Sequence, residues 1–209
     1  MSDAGELLQN VRGQLAAVED ALRDHPFLAA LEHGHLPQRA LRAFAGEQRL
    51  IIASDRHSFE HLAARFTQPP AGDFFLTMAD GEAQALRLLE AFLEPEPGYE
   101  PQPGCQAYPA YVAWLALNGS RSDVTLAFLA NLTAWGASCK RIAAALRDRY
   151  DVSFFEFFAT PPGDFDARAL TVLDAGLADS DSPIAAARAA RLLQAYELLY
   201  WDSLGATIH

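Results

Sequence analysis

Hydrophobic positions recur with the period of an α-helix along almost the whole chain. The first stripe, with about 3.5 residues per turn, consists of Leu7, Leu8, Val11, Leu15, Val18 and Leu22. Similar patterns, separated by Pro- and Gly-containing breaks, predict helices over 27–31, 38–66, 73–93, 107–117, 123–150, 164–177 and 183–204. No segment alternates as a half-buried strand does. The pattern therefore predicts an all-α protein, with one domain over residues 1–209.

The breaks between these patterns carry recognisable helix signals. Ser182 is placed to cap the last helix, with Pro183 at its first position. Residues 94–104 are rich in Pro and Gly and form the longest predicted loop. The aromatic run Phe154-Phe155-Glu156-Phe157-Phe158 ends at a Pro-Pro-Gly break. The two segments between Ala107 and Tyr150 contain no Glu, which predicts a central position in a helical bundle.

Composition narrows the classes of function. Of 209 residues, 51% are hydrophobic, which indicates a globular chain, and the formal charge of −11 argues against binding nucleic acid or an anionic membrane surface. Cys105 and Cys139 form no CxxC motif, so neither a disulfide framework nor a thiolate zinc site is predicted. The first twenty residues alternate charges with leucines and lack the apolar centre of a signal peptide. A cytoplasmic protein without a membrane span is expected.

The strongest candidate for a functional group is Glu197, in the run Tyr196-Glu197-Leu198-Leu199-Tyr200-Trp201. A carboxylate among large apolar residues must find a partner, shift its pKa or face a cavity. The alternative is a solvated or structurally paired Glu on an amphipathic helix.

A second candidate is the pair Glu47-Gln48, which lies between apolar turns of the long helix 38–66. A buried polar pair of this kind is costly unless it lines a cavity, where Glu47 could face Glu197 for acid–base catalysis. The alternative is that Glu47 pairs with Arg42 or Arg49 at the surface.

Other reactive side chains give weaker signals. His57 and His61 are one helical turn apart, which is a metal-ligand spacing only if a third ligand exists; an exposed polar face explains it equally. Cys139 has small helical neighbours, which is typical of a buried Cys rather than a nucleophile. Tyr111 and Trp114 are compatible with an aromatic wall for a ligand or with core packing.

Several segments, in order, resemble TenA-like proteins of the haem-oxygenase-like superfamily. They are His25-Pro26-Phe27-Leu28, the stop Gly34-His35-Leu36-Pro37, Glu47-Gln48, the helix from Tyr108 to Leu115, the aromatic run through Phe158, and Glu197-Leu198-Leu199-Tyr200-Trp201. The resemblance covers nearly the whole chain. It implies a haem-oxygenase-like bundle of about seven to eight helices around a central pocket, and a homo-oligomer.

The chain departs from the chemistry of this family. Where the thiaminases carry an aspartate, a tyrosine and a nucleophilic cysteine, the corresponding residues are Gln48, Ile51 and Ala134, and a pocket tyrosine corresponds to Phe158. Tyr108 and Glu197 match. The missing thiol removes the nucleophile for covalent cleavage.

The di-iron oxidases of the superfamily are matched even less well. Glu47 stands where their first Glu is expected, but the next ligand position is Ser54, and later ones are Phe158, Pro162 and Phe165. No metal or cofactor is therefore predicted, although His25 is a conceivable haem ligand by position.

Taken together, these features predict a pocket protein that binds or processes a small nitrogen-containing organic molecule, as in thiamine degradation or cofactor metabolism. Glu197 is the expected proton-transfer group, with Glu47 as the second catalytic acid. The expected ligand-binding residues are Tyr108, Gln48, Tyr200, Trp135 and Phe158. The alternatives are a non-catalytic member that binds a small molecule or a partner protein, and a metal-dependent oxidase.

Overall fold

The chain folds as a bundle of helices. The computed structural model describes residues 2–95 and 98–206. Over this part the chain forms nine helices and no strand: α1 (Asp3–Arg23), α2 (Pro26–Glu32), α3 (Gln38–Arg65), α4 (Ala71–Phe92), α5 (Pro103–Asn118), α6 (Arg121–Leu146), α7 (Ser153–Ala159), α8 (Phe165–Ala178) and α9 (Pro183–Gly205). The predicted all-α class is confirmed. One helix was not among the eight predicted from the sequence: α7, which the aromatic run forms.

Local hydrogen bonds explain where the helices begin. The Ser182 hydroxyl accepts the N–H of Ala185 at 3.2 Å, and Pro183 follows at the first helical position, as predicted. At α6, Ser120 and Asp123 form a reciprocal capping box.

Helix packing places six elements around the centre. α3 lies along α4, and α9 lies against α5 and α6. The short helix α7 packs on α6 and α4. Gly136 permits this approach, because a Cβ at that position would lie 3.0 Å from the carbonyl oxygen of Phe158.

The apolar core consists of two clusters of buried side chains. One contains Phe59 and Phe128, and the other contains Phe44 and Trp201. Tyr108 and Leu132 pack against both clusters. We call this boundary the seam, and the buried polar side chains described below lie along it.

No helix in residues 2–95 and 98–206 combines the length and the apolar character needed to cross a membrane.

Candidate functional site

A small cavity lies at the seam, where α3, α4, α5, α6, α7 and α9 meet. Its volume is about 50 Å³. The polar part of its lining consists of Gln48, Asp55, Glu82, Tyr108, Asn131, Glu197 and Tyr200, and the apolar part of Ile51, Ile52, Phe128, Leu132, Trp135 and Phe158. We call it the central cavity.

The structure brings six of the seven predicted site residues to this cavity. They are Glu197, Tyr108, Gln48, Tyr200, Trp135 and Phe158. Trp135 and Phe158 meet edge to face, with ring centroids 5.8 Å apart, and form an aromatic corner of the wall. The seventh residue, Glu47, does not line the cavity.

Glu197 is held by neutral donors inside the bundle. Its side chain is 3% exposed. Asn131 Nδ2 donates to Glu197 Oε2 at 2.6 Å, and Trp201 Nε1 donates to Oε1 at 3.4 Å. The Tyr108 hydroxyl donates to Asn131 Oδ1 at 3.2 Å, so a hydrogen-bonded chain joins α5, α6 and α9.

This environment tunes the acidity of Glu197. Burial raises the pKa of its carboxyl to about 8, while the hydrogen bonds from Trp201 and Asn131 act in the opposite direction. A carboxyl with this pKa can give up or accept a proton near neutral pH, which is what a general acid or base requires. The alternative of a solvated Glu is wrong, because the group is buried, while the hydrogen bonds from Asn131 and Trp201 agree with the alternative of a structurally paired Glu.

Two further acids, missed from the sequence, line the same cavity. Asp55 on α3 is 4% exposed, and its Oδ1 has no hydrogen-bond partner among the described residues. Glu82 on α4 is partly buried. Burial raises the pKa of Glu82 to about 8, and burial together with the charge of Glu82 holds the pKa of Asp55 well above its usual range. No Lys, Arg or His is among the described residues that line the cavity, so nothing cationic balances these acids.

The sequence contained a signal for one of these acids. Asp55 follows Gln48 by seven residues, or two helical turns, and therefore shares its face of α3, with Ile51 and Ile52 between them. Glu82 gave no comparable signal. A single Glu in a helix such as α4 is usually exposed, and only the packing of α4 along α3 directs it to the cavity.

Glu47 has a structural task instead of the predicted catalytic one. Its side chain is fully buried. Glu47 Oε1 accepts hydrogen bonds from the Tyr99 hydroxyl at 2.6 Å and the Gln102 N–H at 2.7 Å, and Oε2 accepts one from Gln106 Nε2 at 2.6 Å. These bonds fasten the connection between α4 and α5, and the start of α5, to α3.

Neither sequence interpretation of Glu47 matches this geometry. It does not face Glu197 across the cavity, because adjacent residues on a helix point about 100° apart and Gln48 takes the cavity position. It does not pair with an Arg at the surface either. Arg49 instead binds Glu90 at 3.1 Å, and Arg42 donates to the carbonyl of Glu94 at 3.1 Å.

The three histidines considered from the sequence, all within the described part of the chain, are not arranged as a metal or haem site. His25 Nδ1 accepts the N–H of Phe27 at 3.2 Å, which leaves its Nε2 proton for Asp202 Oδ1 at 3.2 Å, so both ring nitrogens are engaged. His57 and His61 are exposed on α3. Within the described residues, no three His, Cys, Asp or Glu side chains are grouped to hold a metal ion. This donor set does not fit a di-iron centre or an axial haem ligand from His25.

The two cysteines lie outside the central cavity. Both are buried, and burial raises the pKa of each thiol well above its usual range. Cys105 Sγ donates to the carbonyl of Tyr200 at 3.6 Å. Cys139 packs as a small apolar residue, as the sequence indicated.

Solved structures share this fold. A TenA homologue from Pyrococcus furiosus gives a TM-score of 0.77 at 14% identity, covering 95% of this chain and 99% of that chain. A TenA homologue from P. horikoshii OT3 gives a TM-score of 0.72 at 15% identity, covering 95% of this chain and 97% of that chain. A domain of unknown function with a heme oxygenase-like fold, from Shewanella denitrificans OS217, gives a TM-score of 0.69 at 15% identity. The match covers 99% of this chain and 94% of that chain. None of the curated proteins compared with this chain matches it.

A match to the sequence model of a family identifies family membership more specifically than a shared fold does. The model of the TENA/THI-4/PQQC family matches residues 12–203. The matched range begins within α1, ends within α9 and includes every residue described above as lining the central cavity. The haem-oxygenase-like fold of the neighbours agrees with it. The chain therefore belongs to the TENA/THI-4/PQQC family.

Proposed function

We propose that this protein binds a small nitrogen-containing organic molecule, whose nitrogen enters the central cavity, and exchanges a proton with it through Glu197. The observation that carries the proposal is a buried carboxyl, hydrogen-bonded by two neutral donors, that lines a cavity in which no described residue is cationic. A basic nitrogen in the ligand supplies the positive charge that the described cavity residues do not provide.

The hydrogen bonds of Glu197 indicate how the proton is directed. Asn131 Nδ2 and Trp201 Nε1 are both donors, so neither can accept a proton from the carboxyl. The O–H of neutral Glu197 therefore has to find its acceptor elsewhere. An unprotonated ligand nitrogen is such an acceptor, and it becomes cationic as Glu197 becomes a carboxylate. Tyr108 orients Asn131 through its hydroxyl and thus acts as a positioning residue.

The remaining predicted residues form the walls of the ligand site. Trp135 and Phe158 offer an aromatic corner suited to a flat ring, and Gln48 and Tyr200 offer polar atoms. Glu47 is not included, since its carboxylate is already used by the connection between α4 and α5.

A non-catalytic binding protein is the second candidate. It is favoured by the absence of Cys and His among the described cavity residues, which leaves no thiol or imidazole nucleophile beside the ligand. Both candidates require binding, but only an enzyme converts its ligand, so turnover distinguishes them.

The test begins with a panel of aminopyrimidines, aminoimidazoles and aliphatic amines, each paired with an isostere that lacks the nitrogen. Binding is measured at pH 7 by the shift in unfolding temperature. Compounds that bind are then incubated with the protein and followed by NMR for chemical change. We expect the nitrogen compounds to bind in preference to their isosteres.

The Glu197→Gln variant then tests the role of the carboxyl. General acid–base catalysis typically contributes about 10²- to 10⁴-fold, so turnover should fall by at least about 100-fold. Glu60→Gln is the matched control, because Glu60 is exposed on α3 and paired only with Arg56. Binding without turnover in the wild type favours the second candidate. Unchanged binding and turnover in Glu197→Gln would sink the role given to Glu197.

A further inference from the structure

The central cavity is too small for a whole organic ligand. Its volume of about 50 Å³ has room for only a few water molecules, at roughly 10–15 Å³ each. Pockets for small organic molecules usually measure about 300–1,000 Å³. A ligand with a group in the central cavity must therefore extend beyond it.

A larger space adjoins the central cavity. This outer cleft, between α4, α6, α7 and the start of α8, has a volume of about 310 Å³. Four residues line both spaces: Glu82, Phe128, Leu132 and Phe158. The cleft therefore adjoins the central cavity, and Glu82 belongs to the walls of both spaces.

The walls of the outer cleft are mainly apolar. Some apolar residues line this cleft and not the central cavity: Phe74, Met78, Phe157 and Phe165. Two prolines of the segment before α8 also line it. Such a surface binds a hydrocarbon or aromatic group through burial of apolar area.

The charged residues of the outer cleft are mostly acidic. Asp80, Glu82 and Asp164 line it together with a single cation, Arg168. Arg168 donates to the hydroxyl of Thr77 at 2.8 Å. The cleft therefore complements a positively charged ligand better than an anionic one.

We propose that the ligand is a hydrophobic amine whose protonated nitrogen binds between Asp55 and Glu82, with its apolar substituent in the outer cleft. This inference rests on the proposed function and names its substrate class. Asp55 Oδ1 is buried without a hydrogen-bond partner among the described residues, and an ammonium N–H supplies that partner. A neutral hydrocarbon or an anion leaves it unsatisfied.

The aromatic residues at the junction support the same ligand. Phe128 and Phe158 belong to both spaces, so a cation placed beside Glu82 lies next to aromatic rings, which attract it through their quadrupoles. The titratable or charged groups that line the two spaces come from several helices. They are Asp55 from α3, Asp80 and Glu82 from α4, Tyr108 from α5, Asp164 and Arg168 from the α8 end, and Glu197 and Tyr200 from α9.

Straight-chain amines from methylamine to octylamine provide the test, with alcohols and carboxylates of equal length as comparison series. Isothermal titration calorimetry at pH 7 gives the affinities. Each buried methylene should raise the affinity of an amine about fourfold until the cleft is filled. Alcohols and carboxylates of the same length should bind more weakly.

Binding should also release protons. Glu82 is mainly protonated at pH 7, since burial raises its pKa to about 8, and burial also raises the pKa of Asp55. An ammonium group favours their ionised forms, so up to one proton should leave per amine bound. Titrations in two buffers with different enthalpies of ionisation measure this number. A merely structural Asp55 would not change it.

Three variants separate the head of the ligand from its tail. Met78 lines the outer cleft but not the central cavity, and Met78→Gln keeps the length of its side chain. This variant should reduce the gain in affinity per methylene without changing the affinity for methylamine. Leu76→Gln, at a 53% exposed position on the same helix, should leave both unchanged. Asp55→Asn should weaken all amines by a similar factor and reduce proton release.

The outcomes distinguish the two proposals. Affinity that rises with chain length, prefers amines, and responds to Met78→Gln and Asp55→Asn supports the inference. Amines that bind without any dependence on chain length overturn it and leave the proposed function standing. Alcohols that bind as tightly as amines overturn the cationic ligand class. If no compound of any series or of the nitrogen panel binds, both proposals fail.

Discussion

Replacing Glu197 by Gln should change how the stability of the fold depends on pH. Burial raises the pKa of this carboxyl from 4.5 to about 8 in the folded protein. Between these two values the folded state keeps a proton that the unfolded state has lost. The stabilising contribution of neutral Glu197 is therefore complete below pH 4.5 and is lost as the pH rises through about 8.

The size of the effect follows from the span of pH. One such group changes the free energy of unfolding by about 1.4 kcal/mol per pH unit, or by about 5 kcal/mol over the whole interval. Glu197→Gln removes this dependence. At acidic pH the variant should be equal to or slightly less stable than the wild type, because its amide presents a donor to Trp201 Nε1 at a cost of up to about 1 kcal/mol. At pH 8 and above the variant should be the more stable protein.

Urea unfolding at pH 4.5, 5.5, 6.5, 7.5 and 8.5, followed by far-ultraviolet circular dichroism, measures both curves. Asp55 and Glu82 line the same cavity and are present in both proteins, so the difference between the curves reports Glu197 together with its coupling to these two acids. Glu60→Gln, at the surface, should run parallel to the wild type. If Glu197→Gln also runs parallel to the wild type, Glu197 does not carry a raised pKa and the argument for its proton transfer is refuted.

Three further predictions concern structure around the site. Gly46→Ala should lower the free energy of unfolding by about 1–3 kcal/mol in urea titrations, because the new Cβ would lie 2.5 Å from the Tyr99 ring; unchanged stability would contradict this crowding. Cys105 and Cys139 should react with Ellman's reagent at least about 100-fold more slowly in the native protein than in guanidinium, and fast native labelling of either thiol would show that it is accessible. His25→Ala should destabilise the protein by about 1–2 kcal/mol through loss of the α2 cap, and His25→Asn should recover part of the loss; equal losses would argue against capping.

The helices were largely predictable because most present one buried face and end at Pro or Gly. The start of α5 was missed because Pro103, at its first position, lies in a Pro- and Gly-rich segment that is typical of a loop. The helix α7 was not predicted as such, since four aromatic residues in five give no amphipathic period. Phe154 and Phe155 are buried, and packing on α6 and α4 stabilises this helix.

The site was predictable only where a residue is unusual for its surroundings. Glu197 could be identified in this way, whereas Tyr108 was identified through its match to the family pattern; both line the cavity. The direction of a side chain is fixed by neighbouring helices, so Glu47 and Asp55 could not be ranked from the sequence. Trp114 illustrates the same limit: it was predicted to lie in the core or in a ligand wall, yet it is 54% exposed.

The seam between the two core clusters also bears on how the protein unfolds. The central cavity takes Phe128 from one cluster and Ile51, Ile52 and Trp135 from the other, so a bound ligand contacts both. A ligand at 100 times its dissociation constant stabilises a folded protein by about 2.7 kcal/mol. Because this free energy is available only while both clusters are intact, occupancy links their unfolding. In the occupied protein, opening either cluster alone therefore also costs the free energy of ligand binding.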